Sequence, residues 1–119
     1  MAKSYDDGLK AEQEAESFLV KKGYTILARR FKGNGGELDL IATKEQTVSL
    51  VEVRFRKTIS DAAESITPLK RTRLYKVAEY FLSQNTEICE KYPFIRFDVV
   101  LLSKDGSIMH IEDVFGGFE

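Results

Sequence analysis

The sequence predicts an α/β domain in which a mixed β-sheet is flanked by helices, in the order α-β-β-β-α-β-β. Three observations carry that reading. Apolar residues recur at helical spacing in two segments, and five further segments are apolar and strand-like with turn residues between them. The second helical segment falls between the third and fourth strands, where a crossover can make them parallel. The 119 residues suit one compact domain, residues 1–119, and their 43% apolar content can supply its core, since a chain of this size buries roughly 65% of its unfolded surface. The single cysteine, Cys89, excludes an internal disulfide or a Cys-x-x-Cys zinc framework. With no long apolar run and no signal-like start, the chain reads as a cytoplasmic protein without a membrane segment.

Residues 5 to 22 read as the first helix, because Ala11, Ala15, Phe18 and Leu19 share one face and Gly23 supplies a stop. Lys21 and Lys22 suit its negative end. Tyr24 to Phe31 reads as a strand closed by Gly33-Asn34-Gly35-Gly36, Glu37 to Ala42 as the second and Thr47 to Phe55 as the third, with Lys44-Glu45-Gln46 as the hairpin between these two. A loop is expected from Arg56 to Ile66. Thr67-Pro68 then forms an N-cap with proline at the first helical position, and Leu74, Val77, Ala78, Phe81 and Leu82 give the second helix its apolar stripe. Phe94 to Ser103, a turn at Lys104-Asp105-Gly106, and Ser107 to Val114 form a final hairpin.

Charge is unevenly spread. The whole chain carries 18 Lys+Arg against 19 Asp+Glu, a net charge of −1, which excludes a molecule-wide attraction to nucleic acid. Between Arg54 and Lys76, however, seven basic residues face two acidic ones, enough for a basic patch.

Carboxylates on core-like strands are the unusual feature. Glu37 and Asp39 share a face of the second strand, and Glu52 and Arg54 share one of the third beside Leu50. Paired in register, Asp39 and Glu52 come close, and two ionised carboxylates so placed repel unless a cation lies between them or one is protonated. A divalent metal, Mg²⁺ or Mn²⁺ for oxygen donors of this kind, resolves the repulsion. The alternative is a solvent-facing sheet, or a salt bridge of Glu52 with Arg54, Arg56 or Arg96. Glu12 and Glu14 flank the apolar stripe of the first helix on its two edges, and helical spacing alone does not choose between them. Lys70 stands in the first turn of the second helix, where a cation opposes the helix dipole. Either an anion docks there or the lysine reaches out to solvent. His110, the only histidine, reads as structural for want of a nearby Cys or Asp partner, and Asp98 as an ion-pair partner of Arg96 or of a neighbouring strand.

The blocks Gly8-x-x-x-Glu12-x-x-Ala15-x-x-Phe18-Leu19-x-x-x-Gly23-Tyr24, Gly36-Glu37-Leu38-Asp39-Leu40-Ile41-Ala42, Val51-Glu52-Val53-Arg54-x-Arg56, Thr67-x-x-Lys70 and Arg96-Phe97-Asp98-Val99-Val100 resemble, in order and spacing, the bacterial YraN family. That family is similar to the restriction-endonuclease-like proteins, close in pattern to Holliday-junction resolvases. The resemblance implies an endonuclease-like fold in which Asp39 and Glu52 are metal ligands, the Val53 carbonyl a third, and Glu12 an outer or water-mediated contact. It places Lys70 on a basic segment facing the nucleic-acid backbone. It also implies an arrangement in which two copies cut two strands. The signature lysine of the group is replaced by Arg54, which at neutral pH cannot take a proton but can clamp a phosphate through two parallel hydrogen bonds.

The combined expectation is a Mg²⁺- or Mn²⁺-dependent endonuclease acting on structured or branched DNA, since no base-reading helix is discernible. Asp39, Glu52, Glu12 and Arg54 form its site, and Arg56 and Lys70 contact the backbone. A catalytically silent nucleic-acid-binding module and a protein-interaction domain are the competing readings.

Overall fold

The computed structural model describes residues 2–115. Helix α1 (Ala2–Lys21) ends where predicted. Gly23, at φ +100°, closes it with hydrogen bonds from Gly23 N to Val20 O and from Tyr24 N to Leu19 O, the double bond of a left-handed helix cap. Strands β1 (Thr25–Gly33), β2 (Gly36–Lys44) and β3 (Thr47–Arg56) follow as an antiparallel meander. Asn34 and Gly35 both take positive φ in the first turn, as a two-residue hairpin of matching twist requires.

The segment from Arg56 to Ile66, expected as a loop, instead contains α2 (Ile59–Glu64). Thr58 caps it by accepting the Asp61 N–H, and Ala62 is buried in one cluster with Val99 and Leu101. Six residues are too few to display a helical period in sequence. Helix α3 (Pro68–Gln84) begins on the predicted Thr67 cap, whose Oγ1 accepts the Lys70 N–H. A further short helix, α4 (Thr86–Lys91), precedes β4 (Phe94–Ser103). β4 runs parallel to β3, and β5 (Ile108–Ile111) returns antiparallel to β4. The last strand is shorter than expected. Beyond Ile111 the chain turns through Asp113 at φ 53°, and Val114 N donates to Phe97 O.

The result is one mixed sheet in the order β1-β2-β3-β4-β5, with helices on both faces, an arrangement compatible with a nuclease-like fold. On one face Ala11, Ala15 and Leu19 of α1 cluster with Leu40, Ala42, Val51 and Leu102. On the other, Leu74, Val77, Ala78 and Phe81 of α3 cluster with Ile41, Val48, Leu50 and Phe97. Double coverage explains why β3 and β4 read as nearly continuous apolar runs. Among the described residues, no helix is long and apolar enough to cross a membrane.

Two charged residues of these strands are nonetheless buried, Glu52 and Asp98. Asp98 is resolved by donors. Its Oδ1 accepts from Arg96 Nε (2.9 Å) and Asp113 N (3.0 Å), and its Oδ2 pairs with His110 Nε2 (2.9 Å). Burial alone would raise its pKa, but the hydrogen bonds from His110 and Arg96 outweigh that and hold the carboxyl below its ordinary value. Arg96 also donates to the Tyr24 hydroxyl at 2.6 Å, and Lys22 Nζ lies 2.7 Å from His110 Nδ1. The network therefore ties the end of α1 and the start of β1 to β4 and β5. It corrects the reading of His110 as lacking an acidic partner, because the β4–β5 register brings Asp98 to it. The ion pair of Asp98 with Arg96 is as the sequence suggested.

Asp98→Ala strands Arg96 and His110 without their shared acceptor, so urea denaturation should show a loss of about 3 kcal/mol. A loss below about 1 kcal/mol would mean that the network contributes little beyond water, as exposed pairs do.

Candidate active site at the β2–β3 hairpin

Near its turn the first hairpin departs from regular alternation. Ala28 and Phe31 are three residues apart, yet both pack on the α3-side cluster, and so do their partners Ile41 and Leu38. Residues three apart in a regular strand face opposite sides. The alternation of both strands therefore slips by one between these pairs. Arg30 lies within the slip at φ 52°, a left-handed conformation that bulky side chains rarely adopt, and Asp39 lies opposite on β2.

The β2–β3 ladder runs from Lys44↔Thr47 to Leu40↔Val51. Just beyond it Asp39 joins the strands through its side chain, Oδ2 accepting the Val53 N–H at 2.8 Å. Glu52 follows Leu50 on the face that α3 covers, at the point where α3 begins, and is 4% exposed. Its Oε2 receives Arg54 at 2.9 Å and Lys70 at 3.5 Å. Lys70 thus finds an anion inside the protein, Glu52, rather than reaching freely to solvent. Arg54 is not fully satisfied by this pair, because its buried Nε has no hydrogen-bond partner among the described residues.

Asp39 stands in a different electrical position. Burial first, and then the charge of Glu52, push its pKa up to about 8, against the lowering effect of the Val53 N–H; Glu12 adds a smaller push. The group accordingly favours positive charge at this point, whether a proton or a cation. Glu12 chooses the cleft where Glu14 stays exposed, but its Oε1 is engaged by Arg30 Nε at 2.9 Å. The structure brings Asp39, Glu52, Arg54 and Lys70 together, and sets Glu12 at the edge on its own arginine. Among the described residues, no three His, Cys, Asp or Glu side chains are grouped to hold a metal by themselves. Asp39 and Glu52, two hard oxygen donors of which Asp39 is the proton-hungry one, nevertheless fit a divalent cation completed by water or phosphate oxygens.

Glu12, Asp39, Glu52, Arg54 and Lys70 line one open cleft of about 1180 Å³. Four acidic groups, Glu12, Glu37, Asp39 and Glu52, lie on its wall against seven basic ones. Arg56, predicted from sequence, is among the seven; its Nη1 donates to Phe55 O. Lys57 and Arg73 belong to the basic stretch between Arg54 and Lys76 read from the sequence, whereas Lys32 and Lys104 were not singled out there. Lys32 and Lys104 arrive only through the fold, Lys104 because its N–H donates to Lys57 O and sets the β4–β5 turn against the end of β3.

The cleft thus sets paired carboxylates among a majority of basic residues. Comparison with known proteins places the chain in a family: residues 11–102 match uncharacterised protein family UPF0102, and the chain belongs to it. This is the YraN family to which the sequence blocks pointed. A UPF0102 protein of Rhodopseudomonas palustris is 38% identical over 112 residues, covering 94% of this chain and 85% of the relative. One from Azorhizobium caulinodans is 38% identical over 108 residues, covering 91% and 81%. One from Granulibacter bethesdensis is 37% identical over 113 residues, covering 95% and 70%.

The raised pKa of Asp39 has a definite sign for stability. Without divalent cation, the native protein keeps a proton on Asp39 up to about pH 8 that the unfolded chain has lost, so stability falls as pH rises through that window. Thermal melts in EDTA between about pH 5 and pH 8 should show this decline in the wild type and a smaller one in Asp39→Asn, which cannot ionise. Equal pH dependence in the two proteins would contradict the assignment.

Proposed function

We propose that this protein is a divalent-metal-dependent endonuclease that hydrolyses DNA phosphodiesters, with structured or branched DNA as the favoured substrate. The observation that carries the proposal is the Asp39–Glu52 pair on the wall of a predominantly basic cleft, in a molecule whose net charge is −1. Positive charge concentrated on one concave surface beside crowded carboxylates suits a polyanion cut at a phosphate.

Asp39 and Glu52 are the residues that would hold Mg²⁺ or Mn²⁺, with Glu12 behind them. When bound, such an ion supplies a nucleophilic water at neutral pH and offsets phosphate charge. The chain's own groups do the rest. Arg54, on the cleft wall beside Glu52, takes a phosphate oxygen and stabilises charge that grows as water attacks phosphorus. As the new P–O bond forms, the bond to the leaving oxygen breaks; the attacking water gives up a proton to solvent and the leaving oxygen takes one from solvent. Lys70 sits beside Glu52 in the first turn of α3, where it adds positive charge at the same centre. Arg56, at the end of β3, and Arg73, on α3, both line the cleft and hold the backbone.

A second reading has its own observation in favour: Glu52 and Glu12 already carry arginine partners, as they would in a module of the same fold that binds nucleic acid without cutting it. A panel of linear, flap and four-way-junction DNAs, incubated at low salt with Mn²⁺ or EDTA and scored for retention and cutting, separates the two. Cutting in Mn²⁺ alone, lost in Asp39→Asn and Glu52→Gln while retention and fold persist, is the outcome expected of the nuclease. Retention without cutting in any metal supports the silent module, and no retention at all sinks both.

Backbone contacts give a separate expectation. Arg56→Ala and Lys70→Ala should each reduce the slope of log K against log salt by about one unit, as loss of one phosphate contact does. Unchanged slopes would remove these residues from the interface.

A further inference from the structure

We infer that Arg30 sets how many carboxylates the cleft presents to a divalent cation, by holding Glu12 apart from the Asp39–Glu52 pair. The inference rests on the reading of that pair as a cation site. Glu12 lies on the boundary between two hollows. One is the cleft of Asp39 and Glu52; the other is a groove of about 540 Å³ between α1 and β1, lined by Arg29 and Arg30 among others. Arg30 reaches Glu12 from the second side, with Nε 2.9 Å from Oε1. Both side chains are more than half shielded from water, so the attraction is less screened than at an open surface.

The backbone supports the same role. Arg30 occupies its left-handed conformation at the slip in β1, opposite Asp39, so one residue anchors both the irregularity beside Asp39 and the hold on Glu12. Glu12 is close enough to Asp39 to raise its affinity for a proton. Freed from the guanidinium, it is placed to act on a cation held by Asp39 and Glu52. Arg30 is therefore a positioning residue, acting through Glu12.

The test is Mn²⁺ binding to the full chain by calorimetry, with Arg30→Gly as the principal variant, because glycine takes a positive φ without strain. Arg30→Gly should bind Mn²⁺ roughly tenfold more tightly than wild type, the usual size of an effect on groups that orient metal ligands. Adding Glu12→Gln to Arg30→Gly should erase the gain, leaving the double variant with the affinity of Glu12→Gln alone. Arg30→Lys, which keeps the charge, should stay near wild type. If Arg30→Gly misfolds by circular dichroism, Arg30→Asn serves, since asparagine also tolerates this conformation. Unchanged or weaker binding in the folded variant, or a gain that survives Glu12→Gln, overturns the role of Arg30. Asp39→Asn distinguishes the two levels. Wild-type binding that it abolishes upholds the cation site whatever Arg30 does, and an absence of Mn²⁺ binding in every variant overturns the cation site and this inference together.

Discussion

Repulsion between Asp39 and Glu52 is the constraint around which the rest of the site is arranged. The β2–β3 hairpin brings two carboxylates into a region shielded from water, where like charges are expensive and each compensating group counts. Glu52 is compensated by Arg54 from its own strand and by Lys70 from the first turn of α3. Asp39 receives the Val53 N–H, and burial together with the charge of Glu52 still pushes its pKa up to about 8. A fold selected for stability alone would gain by placing an apolar residue there.

The two-faced core makes such crowding tolerable. α1 and α3 cover opposite faces of the sheet and bury side chains worth about 2 kcal/mol apiece. On β3 the face toward α3 runs Val48, Leu50, Glu52, Arg54, passing from dry core to cleft within three pleats. The site therefore stands at the margin of a rigid apolar layer, and its carboxylates inherit that rigidity. A corresponding buried charge, Asp98, lies farther along the sheet and is fully met by donors. Asp98 braces the fold, whereas Asp39 is left wanting positive charge.

Much of this was legible in the residues. Gly23, Thr67-Pro68 and the Gly33–Gly36 turn fixed element ends by local chemistry, and the period of two already placed Glu52 beside Leu50 and Arg54. The pairing of Asp39 with Glu52 followed from a short hairpin. Features that depend on exact register or long-range closure were not legible. α2 is too short for a period, and the Asp98–His110 contact needs the β4–β5 register. The left-handed Arg30 leaves no trace in the sequence, so its hold on Glu12 could not be foreseen. Lys104 reaches the cleft only because β4 runs parallel to β3 and ends beside it.

Carboxyl ¹³C NMR of metal-free protein, following the Asp39 side chain through a pH titration, measures the crowding directly. A midpoint near 8 is expected, moving downward when Glu52 is replaced by glutamine. A midpoint at the ordinary value of 3.8, indifferent to that replacement, would contradict the account.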